Sequence, residues 1–270
     1  MLKKIALAFI SMTLLLCSCD NSSTQDRALN HTITIAGSTS IMPFTEKLAE
    51  HFAVDHPTFV IDVQGGGSTA GIQAVKNNTV DIGMSSRELK DDERVLNTIT
   101  ICHDGISIIL HPRNPLNGLS LQQIRDIYRG KIVNWKELGW IDRKIDAITR
   151  EEGSGTRSAF EELVMRKTDI DDGIMVQDSN GSVKEVVATD PYAMGYISLG
   201  LLDSRVKPIA VNGTNPTIRN IKSGQYRIVR PFLFVTNGEL EPHAKQFVDF
   251  ILSRDGQGIL KKEGLVGFYD

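Results

Sequence analysis

The sequence predicts an α/β fold with mainly parallel sheets. Three observations carry that expectation. Strand-like apolar runs alternate with helix-spaced segments nearly throughout, Gly/Ser/Thr-rich turns follow four of the runs, and no short repeat interrupts the alternation. In order, residues 31–36 alternate Thr and Ile as a strand does, and 42–56 follow with helical spacing, Pro43 suiting the first turn. Residues 59–64 read as a second strand, 70–77 as a short helix, 80–84 as a buried strand and 88–97 as a surface helix. The run 99–111 is expected to be a strand partly broken at His103-Asp104-Gly105. Beyond Pro112 and Pro115, helices are expected at 121–129, 157–165 and 182–189, and strands at 146–150, 194–198 and 206–211. A strand at 232–236, an amphipathic helix at 242–252 and a shorter helix at 256–262 complete the pattern.

The 270 residues carry 30 Lys and Arg against 33 Asp and Glu, a formal charge of −3. A mildly acidic chain with no run of like charge suggests no nucleic-acid surface. If such a chain binds an anion, local donors must hold it: backbone amides, hydroxyls and a placed arginine. The N-terminal segment reads as targeting sequence. Lys3 and Lys4 precede an apolar stretch, 5–16, too short to span a bilayer comfortably, and Leu16-Cys17-Ser18-Cys19 follows. That run resembles the bacterial lipoprotein processing box, which implies a signal peptide over 1–18 and a lipid on Cys19; an ordinary secreted protein is the alternative. Cleavage there removes Lys3 and Lys4 and takes the formal charge to about −5. Residues 19–30 read as a polar tether. Cys102 is then the one cysteine left in the folded part, in an apolar run, and reads as a small buried hydrophobe. No internal disulfide and no zinc spacing follow from it.

Four turns carry the candidate chemistry: Gly37 to Ser40, Gly65 to Thr69, Met84 to Arg87 and Gly153 to Thr156. Three lead directly into helices, whose first backbone N–H groups lack partners and favour negative charge. Glycine admits close approach and hydroxyls add directional donors. Taken singly, each turn is more often a helix cap or a plain turn. Arg150 ends a strand just before the fourth, and a guanidinium fork fits two oxygens of one oxyanion. An adjacent acid, with Glu152 favoured, is expected to orient it.

These motifs resemble the phosphate-binding proteins of bacterial high-affinity phosphate transporters, from Thr34 nearly to the C-terminus. Ala36-Gly37-Ser38-Thr39-Ser40 matches the first ligand loop, Gly65-Gly66-Gly67-Ser68-Thr69-Ala70-Gly71-Ile72 the second and Val80-Asp81-Ile82-Gly83-Met84-Ser85-Ser86-Arg87 the third. Arg150 with Gly153-Ser154-Gly155-Thr156 matches the most specific motif. The resemblance implies anion ligands at Ser38, Thr39 (hydroxyl), Ser40 (amide), Ser68, Ser86, Arg150, Ser154, Gly155 and Thr156, with Gly67, Arg87 and Glu152 behind them. It implies the two-lobed periplasmic-binding-protein fold of type II, with lobes at 31–110 plus 230–270 and at 111–229. The chain would cross twice between lobes, near 110–115 and 227–231. It further implies an extracytoplasmic, non-enzymatic, monomeric binder of inorganic phosphate, without cofactor or metal, serving integral-membrane ABC permease subunits and touching the membrane through the lipid on Cys19.

One departure matters. Many family members carry an aspartate where Ser86 stands, and it accepts the proton that phosphate carries and sulfate lacks. Ser86, a backbone carbonyl or Glu152 must then accept it, and sulfate or molybdate is the alternative ligand. Dinucleotide binding is weaker: Gly65-Gly66-Gly67-Ser68-Thr69-Ala70 fits G-x-G-x-x-G/A, but Asp81 comes too early for the ribose acid. Gly153-Ser154-Gly155 is not the G-x-S-x-G elbow of a hydrolase, and the acidic clusters at 91–93 and 169–172 lack calcium-loop spacing. A non-enzymatic adhesin or signalling partner would show no anion affinity.

Overall fold

The computed structural model describes residues 31–166 and 168–269; the expected signal peptide, the expected lipidation site Cys19 and the expected tether lie outside the described residues. Strand β1 (His31–Gly37) leads into α1 (Met42–Asp55), and β2 (Phe59–Gly65) into α2 (Ser68–Lys76). Next come β3 (Ile82–Ser85), a 3-10 turn (Asp91–Glu93) and the long β4 (Asn97–Leu110). The middle of the chain supplies β5 (Gly118–Leu119), α3 (Leu121–Tyr128), β6 (Asp146–Arg150) and α4 (Gly155–Phe160), which runs on as a π-helical turn. Then follow β7 (Met175–Gln177), α5 (Asn180–Thr189), β8 (Ala193–Ser198), β9 (Lys207–Pro208), β10 (Ala210–Val211) and α6 (Ile218–Lys222). Strand β11 (Val229–Thr236) returns to the first half, where α7 (Pro242–Leu252) and α8 (Arg254–Lys262) pack.

The main sheet runs β2-β1-β3-β11-β4-β8-β6-β7, with β9 also on β4. Its outer pairs are parallel, while β11 and β4 run antiparallel to their neighbours. Strands β3 and β8 are buried at every position, as central strands covered on both faces require. Helix α1 buries Phe44, Thr45, Leu48 and Phe52 at helical spacing.

Two large cores result, and this gives the type II two-lobed architecture. One gathers Ile33, Phe52, Cys102, Phe232 and Phe247, so Cys102 is indeed a buried hydrophobe. The other gathers Ile106, Tyr128, Trp135, Phe160, Tyr196 and Ile228. The chain changes core between Cys102 and Ile106, inside β4, and again between Ile228 and Phe232. The first change thus falls before the 110–115 segment. Strand β4 pairs with β11 through Gly105 and with β8 from Ile106.

Three expectations are corrected. Residues 88–97 are not a helix: the Glu93 carboxylate is captured by Arg87 and by the Lys90 N–H, and only a 3-10 turn remains. Strand β4 has no break at His103-Asp104-Gly105, because Asp104 lies in register opposite Arg230, which neutralises it. The strand expected over 206–211 is split, since Lys207–Pro208 pairs with β4 and Ala210–Val211 with β5.

Candidate functional site

The four turns meet between the two cores. In the first, Ser38 donates to Ser86 Oγ (2.9 Å) and accepts the Ser40 N–H (3.2 Å), so the Ser40 amide is spent within its own turn rather than facing the cleft. Thr39 Oγ1 accepts from Arg150 Nη2 across the cleft (3.2 Å). Ser40 Oγ lies 2.8 Å from Thr156 Oγ1 and accepts from Asn180 Nδ2 (2.8 Å). In the second turn, Gly67 precedes α2, and Ser68 stands inside its first turn, where its hydroxyl accepts the Ser86 N–H (3.0 Å). The Thr69 N–H reaches the Gly153 carbonyl of the other lobe (3.1 Å). In the third, Ser86 faces the cleft, whereas Arg87 turns away onto Glu93 (2.7 and 2.8 Å) and Thr69 Oγ1 (3.3 Å), bracing the loop.

In the fourth turn the Ser154 oxygen accepts the N–H groups of Thr156 and Arg157, capping α4. Both lone pairs are thereby filled and only its proton is left to give. Gly155 opens the helix beside Ser68 and Ser86: a Cβ there would stand 2.2 Å from Ser68 Oγ and 2.6 Å from Ser86 Oγ. Arg150, 1% exposed, sets its fork on Glu151 through Nε (3.0 Å) and Nη2 (2.9 Å), and Nη2 also donates to the Asp178 carbonyl (3.0 Å). Its Nη1 is buried without a partner, which costs about 1–3 kcal/mol unless a ligand oxygen meets it. The expected orienting acid is corrected. Glu151 holds Arg150, while Glu152 sits exposed at the corner of the turn closed by the Ser154 N–H to Glu151 carbonyl bond.

Four residues were missed. Arg230, 2% exposed, donates through Nη1 to Thr156 Oγ1 (2.8 Å) and Ser86 Oγ (3.2 Å), and through Nη2 to Ser40 Oγ (3.1 Å). Asp104 accepts its Nε (3.1 Å) and Nη2 (2.9 Å) on Oδ2, and Ser198 Oγ (2.8 Å) on Oδ1. Asn180 takes the Ser198 N–H on Oδ1 (3.2 Å), which fixes the orientation of its amide. The available signal was a charge inside each of two apolar strand patterns, at Asp104 and Arg230, because a buried charge demands a partner. Burial raises the Asp104 pKa, against the opposing pull of Arg230. Burial lowers that of Arg230, Asp104 opposing and the nearby positive charge of Arg150 adding to the drop. Two guanidiniums, each matched by one carboxylate, therefore stand over one set of hydroxyls in a water-poor cleft. Charge-assisted donors in such a setting suit a small anion with several oxygens.

Donors from both lobes, facing one buried cleft beside two crossing strands, define a solute-binding protein. The chain belongs to the PBP superfamily, whose domain pattern matches residues 22–255, and within it to the PstS family. It is 31% identical to the phosphate-binding protein PstS of Bacillus subtilis, over 93% of this chain and 85% of that one. With PstS of Borreliella burgdorferi it shares 30% over 99% of each. Among solved structures, a Clostridium perfringens ABC-transporter substrate-binding protein with bound phosphate superimposes with a TM-score of 0.86 at 40% identity, covering 88% of this chain and all of that one. An ABC-type phosphate transport receptor from Vibrio cholerae gives 0.72 at 36% identity, with the same coverage.

Proposed function

We propose that this chain binds inorganic phosphate with high affinity between its lobes and delivers it to an ABC-type permease. The observation that carries this is the partnerless, buried Nη1 of Arg150 at a wall of hydroxyls drawn from both lobes. The anion ligands are Thr39, Ser68, Ser86, Arg150, Ser154, the Gly155 amide and Thr156, with Ser38, Ser40, Gly67 and Arg87 shaping the loops that hold them. The lobes divide at about Gly105/Ile106 and between Val229 and Phe232, the stretches over which the core changes. Among the described residues no helix is long and apolar enough to cross a membrane. A lipid on Cys19, supported by Leu16-Cys17-Ser18-Cys19, anchors a monomer outside the cytoplasm. Incorporation of labelled fatty acid should disappear in Cys19→Ser.

Calorimetry on the mature protein tests the ligand. Phosphate should bind tightly at one site, and Arg150→Ala should weaken it by about 2–5 kcal/mol, the usual cost of truncating one partner of a desolvated charge contact. Unchanged affinity in that variant sinks the site. Sulfate, arsenate and molybdate titrated alongside decide selectivity, because Ser86 stands where a carboxylate acceptor is common; tighter binding of sulfate than phosphate would reassign the ligand.

A further inference from the structure

The hydroxyls of the cleft have fixed directions, and they follow by counting lone pairs. Ser40 Oγ accepts from Asn180 Nδ2 (2.8 Å) and Arg230 Nη2 (3.1 Å). Both its lone pairs are filled, so in its 2.8 Å contact with Thr156 it must be the donor. Thr156 Oγ1 then accepts from Ser40 and from Arg230 Nη1 (2.8 Å), and only its own proton is left to give. Ser86 Oγ accepts from Ser38 (2.9 Å) and Arg230 Nη1 (3.2 Å). Its proton has only the long 3.4 Å contact to Ser68, or an oxygen in the cleft. Arg230 is common to all three hydroxyls. It is held in turn by Asp104, whose Oδ2 takes Nε and Nη2 while Oδ1 takes the Ser198 hydroxyl. The pair sits in register on β4 and β11, at the seam where the chain changes core.

We propose that Arg230, clamped by Asp104, is a positioning residue for the anion: it fills the lone pairs of Ser40, Ser86 and Thr156, so that Ser86 and Thr156 can only donate into the cleft. This rests on the phosphate reading above and goes beyond it. A donor-only wall accepts unprotonated ligand oxygens and turns a protonated oxygen elsewhere. Ser86 is therefore not the acceptor of the phosphate proton.

The test is a double-mutant cycle in phosphate affinity on the mature protein, using Arg230→Gln, Thr156→Val and the pair together. Wild-type binding with Arg230→Gln weakened about 100-fold, and the same change costing less than about tenfold in the Thr156→Val background, is the expected result, since residues acting through one contact are not additive. Arg230→Lys keeps the charge without the fork and should stay weak. If Arg230→Gln fails to fold because it strands Asp104, Asp104→Asn with Arg230→Gln leaves no unpaired charge, and that folded variant should also lose about 100-fold. The inference is overturned if a folded variant binds within about threefold of wild type, if the cycle is additive, or if lysine restores full affinity. A wild-type protein that binds no phosphate removes the functional reading itself, and this inference with it.

Discussion

Two glycines separate what the fold needs from what the site needs. Gly37 has φ +138°, and a Cβ there would stand 2.4 Å from the Met84 carbonyl on the neighbouring strand. That clash lies within one sheet, so it is present whether the lobes are open or closed. Gly155 has ordinary helical backbone, but its Cβ would strike Ser68 and Ser86 across the cleft. Separating the lobes relieves that clash. Gly37→Ala should therefore destabilise the protein by about 2–4 kcal/mol in urea titration. Gly155→Ala should leave the urea midpoint nearly unchanged, since alanine suits a helix, yet raise the phosphate Kd at least about 100-fold if it blocks closure. Equal loss of stability in both variants would contradict the division. The sequence alone could point to both glycines, as members of turns after strands. Which of them faces its own sheet and which faces the other lobe depends on how distant segments meet, and no local pattern encodes that.

At the scale of elements, local patterning predicted those whose hydrophobic period matches their final partners. Strand 146–150 and helix 242–252 came out with their observed bounds. It failed where a buried ion pair overrode propensity. Residues 88–97 have helical composition, but Arg87 and Glu93, both about 5% exposed or less in their side chains, form a fork that holds the segment extended around a single 3-10 turn. The same blindness hid Asp104 and Arg230, which lie 126 residues apart and make sense only together. The Arg87–Glu93 pair carries its own prediction. Hydrogen bonding to Arg87 lowers the Glu93 pKa, burial opposing. A depressed carboxyl contributes stability that is fully present above its unfolded value, about 4.3, and is lost as pH falls through the folded value. Glu93→Gln should cost about 3 kcal/mol at neutral pH, because it leaves Arg87 buried and unpaired. Its unfolding free energy should also fall less steeply than that of wild type below about pH 5. Parallel acid curves for the two proteins would show that the pair contributes nothing specific. Since Arg87 also reaches Thr69, a modest loss of phosphate affinity should accompany the change.

At the scale of the molecule, closure rests on polar contacts around one buried cleft. The lobes are covalently joined by β4 and by the segment entering β11, and the Ile106 N–H bonds the Ile228 carbonyl at that seam (2.9 Å). Across the cleft the bonds are polar: Thr69 N–H to Gly153 carbonyl, Arg150 to Thr39, Ser40 with Thr156 and Asn180, Arg230 to Thr156, and Ser198 to Asp104. The neutral ones contribute about 0.5–1.5 kcal/mol net when they replace bonds to water, and those of Arg150, Arg230 and Asp104 about 1.5–3 kcal/mol. Closing also brings Arg150 towards Arg230, whose like charges repel. An anion that touches both lobes adds to these contacts and biases the equilibrium by its differential affinity for the closed form. Hydrogen exchange separates this from simple stabilisation. Phosphate at about 100 times its Kd should raise global stability by about 2.7 kcal/mol, slowing exchange at amides that open only by global unfolding. Lobe closure adds protection in particular segments: peptides covering 66–76 and 151–160, which hold Thr69 and Gly153, should slow by more than the global factor seen in a core helix away from the cleft such as 242–252. In Gly155→Ala that local protection should vanish at any phosphate concentration, and the radius of gyration from solution scattering should stop shrinking on ligand addition. Uniform slowing along the whole chain, with no excess at 66–76 and 151–160, would mean that phosphate binds without drawing the lobes together, and the cleft contacts would then owe nothing to the ligand.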